Sequence, residues 1–148
     1  MQDRPTSVEL LEAAADFVDR ELVPTIEGAR QFHARVVANV LRIVAREIKM
    51  EDRLVRSEVR ALAQLLGRDA PHLHSLDDLR VAAASMGEEL TAKIRAGEAD
   101  DGGWRGEVLA VVRQSVEDKL RIANPRYLDS DIAIRNAEQS AKGDLTNA

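Results

Sequence analysis

The sequence predicts an all-α fold: a single-domain bundle of about five helices, mostly antiparallel and joined by short connections. Three observations carry that expectation. Apolar residues recur with a helical period along most of the chain. The composition is 45% apolar and 32% charged but only 3% aromatic, rich in helix formers and poor in strand signals. Gly67, Gly97, Pro24, Pro71 and Pro125 punctuate the periodic stretches. A chain of 148 residues suits one domain and can bury a core.

After a polar lead-in, Thr6, Ser7, Val8 and Glu9 fit a capping box. The first helix then carries Leu10, Leu11, Ala14, Phe17, Val18 and Leu22 on one stripe. Pro24 ends or kinks it, because proline lacks a donor and clashes with the preceding turn. The very short link that follows favours an antiparallel neighbour.

The central stretch, residues 25–50, is the longest uninterrupted helical pattern. Ile26, Ala29, Val36, Val37, Val40, Leu41, Val44 and Ile48 share one arc and are expected to face the core. Arg35, Asn39, Arg42 and Arg46 form the opposite stripe, a solvated face or a grip for an acidic partner or a phosphate. His33 falls inside the apolar arc. It is expected to point inward, either as a hydrogen-bonded core histidine or as a ligand-facing or catalytic imidazole.

The pattern breaks after Met50, and a third helix is expected from about Glu51 or Ser57 to Leu66. Glu58 projects into its apolar arc. With Ser57 as cap, it reads as a first-turn carboxylate suited to the helix dipole; the alternative is a buried acid. Residues 67–75 read as a loop. His72 and His74 there match no zinc spacing, so no metal is expected. Ser75 caps a fourth helix running to about Ala96, and the small residues at 82–85 allow close helix approach. The acidic 97–103 stretch does not align with a calcium loop and reads as a turn. The fifth helix spans about Trp104 to Ala123 and places Ser115 and Lys119 inside its arc. Lys119 either snorkels to water near the helix end or pairs with a carboxylate or a ligand phosphate. Pro125 restricts Asn124 and stops the helix. The bundle is therefore assigned to residues 1–127. Residues 128–148 form a polar tail that holds a candidate short docking helix.

A net charge of −5 disfavours nucleic acid as a partner. The absence of cysteine excludes disulfides, thiolate catalysis and cysteine-ligated metals. No apolar run approaches the roughly 20 residues that span a bilayer, and no signal peptide is evident, so a cytoplasmic protein is expected. Phosphate loops, dinucleotide fingerprints, G-x-S-x-G and kinase signatures are missing, so an enzyme is not the favoured expectation and no cofactor is implied.

The stretches MQDRPTSVELLEAAADF, FHARVVANVLRIVARE, ELTAKIRAGEAD and DKLRIANPRY resemble an uncharacterised bacterial family of small all-helical domains. The positions that carry the resemblance are Phe32, His33, Arg35, Val36, Asn39, Lys119, Asn124, Pro125 and Tyr127. Members of that family are often encoded beside kinase-like proteins of the aminoglycoside-phosphotransferase class and acyl-CoA dehydrogenase-like enzymes. The resemblance thus implies an accessory role in acyl-CoA metabolism. Three functions follow. One is a helical accessory protein binding a partner enzyme. Another is a small-molecule-binding bundle or enzyme using His33 and Lys119. The third is a structural homodimer. His33, Arg35, Asn39, Glu58, Lys119, Asn124 and Tyr127 are the candidate binding residues.

Overall fold

A computed structural model describes residues 3–129. Among the described residues four long α-helices order the chain, α1 (Ser7–Phe17), α2 (Gly28–Leu65), α3 (Leu76–Arg95) and α4 (Gly103–Ala123), and residues 125–129 are helical as well. No strand occurs among the described residues. The expected all-α class is what the chain adopts. The candidate docking helix beyond residue 129 lies outside the described residues.

The caps read from the sequence form. Thr6 Oγ1 accepts from the Glu9 backbone N–H, and the Glu9 carboxylate accepts from the Thr6 N–H, closing both halves of the box. The Ser75 hydroxyl oxygen accepts from the Asp78 N–H. Gly67 takes a left-handed φ of 70°, and Arg68 N–H reaches back to the Ala63 carbonyl, a glycine stop after α2. The chain passes Pro24 in a single 3-10 turn, Val23–Thr25, before α2 begins.

One boundary differs. The expected break after Met50 does not occur, and the second and third predicted helices are one 38-residue helix. Residues 47–60 contain neither glycine nor proline, so nothing removes a backbone hydrogen bond. Asp52 and Arg56, one turn apart, add a bidentate ion pair on the helix surface (2.8 and 2.9 Å). Glu58 is therefore a mid-helix residue and not a first-turn carboxylate.

α2 is the spine on which the other three helices lie. No Cα atom of α1, α3 or α4 comes within 8 Å of a Cα in either of the other two. α1 packs antiparallel on the first half of the spine. α4 packs antiparallel on the second half, from the Trp104 indole N–H on the Leu65 carbonyl (3.3 Å) to Arg46 on the Ile122 carbonyl (2.7 Å). α3 runs in the same sense as α2: its start meets Glu51 through Arg80, and Glu89 meets Arg68 beyond the end of α2. The connection of residues 66–75 makes this possible by running back along α2. Arg56 holds it down, donating to the carbonyls of Leu73 (2.9 Å) and His74 (3.3 Å).

The two halves of the spine are packed differently. From Val59 to Leu65, α2 forms a core with Leu79, Met86 and Leu90 of α3 and Val108 of α4. From Ala34 to Ala45 the buried residues are alanines: Ala34, Ala38 and Ala45, with Ala15 buried on α1. Small side chains let the two backbones approach closely. Arg42 then ties the pair together through Asp16 (3.1 Å) and Asp19 (3.0 Å). The hydrogen bond that Arg42 donates to Asp16, aided by Asp19, raises the Arg42 pKa. Arg46, whose pKa is lowered by burial and by the neighbouring Arg42 charge, spends its Nε proton on the end of α4. Two members of the predicted arginine stripe are thus internal fasteners, while Arg35 and Asn39 are exposed.

The predicted inward arc of the central stretch is the opposite of what the alanines dictate. Val36, Val37, Val40 and Ile48 are between 43% and 54% exposed. His33 is exposed as well, so the expectation of an inward imidazole is wrong. Hydrophobic phase located an apolar arc correctly, but α1 docks on the small-residue face beside it.

Candidate functional site

The backbones of α3 and α4 stay apart, with no Cα of one within 8 Å of a Cα of the other, and leave a groove above the second half of the spine; side chains still span them, as where the Lys93 ammonium lies 5.9 Å from the Trp104 ring. The groove encloses about 490 Å³. Glu58 and Leu62 of α2 contribute to its lining. Ala83, Ala84, Gly87, Leu90, Thr91 and Ile94 line it from α3, and Val111, Val112, Ser115, Val116 and Lys119 from α4. Each set follows helical spacing, so each wall is one face of one helix. The lip is apolar and open: Ile94, Val112 and Val116 are 38–50% exposed.

Polar chemistry is concentrated among Glu58, Ser115 and Lys119. The Ser115 hydroxyl donates to Glu58 Oε1 at 2.5 Å. The Lys119 ammonium donates to Ser115 Oγ at 2.9 Å and to the same Glu58 oxygen at 3.3 Å. Glu58 is the sheltered member and Lys119 the exposed one, with side chains 22% and 71% accessible. Ser115 and Lys119 are one turn apart on α4, and Glu58 reaches them from mid-α2. Both contacts use Oε1, which leaves Oε2 without a partner among the described residues. Ser115 and Lys119 both lean on this one carboxylate oxygen. The cluster therefore places a charged pair and a hydroxyl together on the groove wall.

The wall of α3 contains a residue that sequence reasoning did not single out. Gly87 lies inside α3, where glycine costs roughly 1 kcal/mol relative to alanine. A Cβ built there meets no atom within 4 Å. No packing within the described chain requires glycine, and its bare backbone forms part of the groove wall. The signal in the sequence was a glycine well inside an otherwise regular helical pattern.

Of the residues predicted as a site, the structure brings together Glu58 and Lys119. His33 does not line the groove. It lies on the first half of α2 beside Phe32, with ring centroids 5.7 Å apart in an edge-to-face arrangement. Arg35 and Asn39 are exposed on the same half. Asn124 ends α4, donating its N–H to Leu120 and accepting from the Tyr127 N–H; Tyr127 is exposed. His72 and His74 lie in the connection held by Arg56.

The architecture is that of an all-helical domain with a long spine and an open, mostly apolar groove. Residues 24–127 match the family described as a domain of unknown function, DUF6285, and the chain belongs to that family. The matched stretch takes in α2, α3, α4 and the groove, while α1 precedes it. No curated protein and no solved structure matches the chain. No helix among the described residues is long and apolar enough to cross a membrane.

Proposed function

We propose that this protein is a helical interaction module that receives a short amphipathic helix from a partner protein in the groove between α3 and α4. Gly87 carries this reading. A glycine inside a helix, facing open space in a groove whose wall also holds Ala83 and Ala84, offers close backbone approach to an incoming helix. The groove runs about 12 Å along α4 from Val111 to Lys119, at 1.5 Å per residue, which suits about two helical turns. Exposed Ile94, Val112 and Val116 would pack the partner's apolar stripe. Glu58 and Lys119 would set its register by pairing with its polar edge. The resemblance described above makes a kinase-like phosphotransferase acting near acyl-CoA metabolism in the cytoplasm the first partner to test.

The experiment is selection of short helical peptides against the full chain, followed by binding to Gly87→Leu. The expected result is enrichment of sequences with apolar residues at i, i+3, i+4 and i+7. Their affinity should fall at least about tenfold in Gly87→Leu, which fills the wall, while the fold is retained. Peptides that bind both forms equally, or no enrichment at all, would count against the groove as their site. One observation favours a second reading: about 490 Å³ also lies within the usual range for small-molecule pockets. An amphipathic metabolite would then raise the melting temperature of the wild type and not of Gly87→Leu.

A further inference from the structure

The first half of the spine carries an apolar face that the described chain leaves largely bare, with Ile43 and Val44 half-buried on it. Phe32, Val36, Val37, Val40, Val44 and Ile48 lie along one side of α2 over about 24 Å, at 1.5 Å per residue. Phe32 is 63% exposed and Ile48 54%, with Val40 between them at 49%. Beyond Glu51 the same side of the helix passes beneath α3 and α4, where it supplies Leu54, Val55, Leu62 and Leu65. One apolar stripe therefore runs the length of the spine, half covered and half bare. A continuous bare face of this kind marks an interaction surface rather than scattered surface chemistry.

The order of residues on the bare half identifies its partner. The stripe is nearly palindromic about Val40. Phe32 mirrors Ile48, Val36 mirrors Val44, and Val37 mirrors Ile43, apolar against apolar each time. The mirrored pair that is not apolar is His33 and Glu47, an imidazole against a carboxylate. Two copies related by a two-fold axis through Val40, with their α2 helices antiparallel, would set every apolar residue against an apolar one. They would also set each His33 against the other copy's Glu47, a donor against an acceptor. An isologous interface requires this self-complementarity, which an unrelated partner would not. α1 docks on the alanine face of α2 and leaves the stripe clear.

We infer that the protein associates as an antiparallel two-fold dimer through the Phe32–Ile48 face of α2. This is independent of the groove reading, since the groove lies on the other half of the spine and stays open in such a dimer. His33, which lies on that face, then acquires an interfacial role in place of an interior one.

The test uses the full chain. Sedimentation equilibrium of the wild type is expected to give twice the chain mass of 16.3 kDa. Val40→Glu places two carboxylates on the axis and should raise the dissociation constant at least about a hundredfold while helicity is retained. Val81→Glu, at a 69% exposed position on α3, should leave the dimer intact. Glu47→Arg should weaken the dimer by about two- to thirty-fold, and His33→Glu in the same chain should restore it. Because the chain has no cysteine, Val40→Cys supplies a single thiol that should cross-link two copies on oxidation, whereas Val81→Cys should not. A dimer insensitive to Val40→Glu would overturn the inference. So would a monomer, and thiol labelling of Val40→Cys then names the alternative. Slow labelling assigns the face to residues 130–148 of the same chain, and rapid labelling assigns it to a different protein.

Discussion

The two halves of α2 use the same helix in opposite ways. Between Val59 and Leu65, branched side chains meet the leucines of α3 and close a core. Between Ala34 and Ala45 the buried residues are alanines, and Val36, Val37 and Val40 are left facing outward. The difference shows that an apolar arc is a capacity for burial and not evidence of burial within the same chain. Which face is used depends on how closely a neighbouring backbone can come, and the alanine stripe allows α1 the closer approach.

The largest effects that separate the halves come from truncation. Leu79→Ala, at a 3% exposed position, should cost about 2–5 kcal/mol of unfolding free energy. Val40→Ala, measured at a dilution where the chain is single, should change stability by less than about 0.5 kcal/mol. Urea denaturation of both variants makes the comparison, and similar losses would erase the distinction. Enlarging the alanine seam is the next test. Ala38→Leu, at a 1% exposed site, should destabilise by about 1–3 kcal/mol through overpacking against α1. A neutral result would mean that α1 is not closely seated.

Arg42→Ala should have a smaller effect. It removes ion pairs to Asp16 and Asp19, but all three side chains are between 34% and 47% accessible, so the loss should be at most about 1 kcal/mol. Its signature should be faster amide exchange in α1 than in α3. The smallest effect concerns pH. The Arg56 hydrogen bond lowers the Asp52 pKa below its ordinary 3.8. The unfolded chain therefore takes up this proton at a higher pH than the folded one. The stabilisation is present above about pH 4 and is lost as pH falls through the lowered folded value. Asp52→Asn should flatten that part of the acid-denaturation curve slightly and leave the neutral range alone.

The caps at Thr6 and Ser75 and the stops at Gly67 and Gly97 were legible in the sequence because each depends on residues within a few positions. The all-helical class was legible from period and composition. The continuity of α2 across Met50 was not, since a change in polar pattern resembles a break even where no residue interrupts the hydrogen bonds. The orientation of His33 was misjudged for a related reason: helical phase places a residue on a face, but only the neighbouring helix decides whether that face is inside. Glu58 and Lys119 were each visible as polar residues in apolar arcs. Their meeting, and the role of Ser115 between them, needed the antiparallel docking of α4. Gly87 was visible only as a glycine inside a helix.

The groove and the reading built on it rest on open space beside that glycine. The melting temperature of Gly87→Ala tests this most directly. A methyl group that meets nothing should stabilise α3 by roughly 1 kcal/mol and raise the midpoint by roughly 3–5 °C. A lowered midpoint would mean that the position is already filled, and the groove as described would not exist.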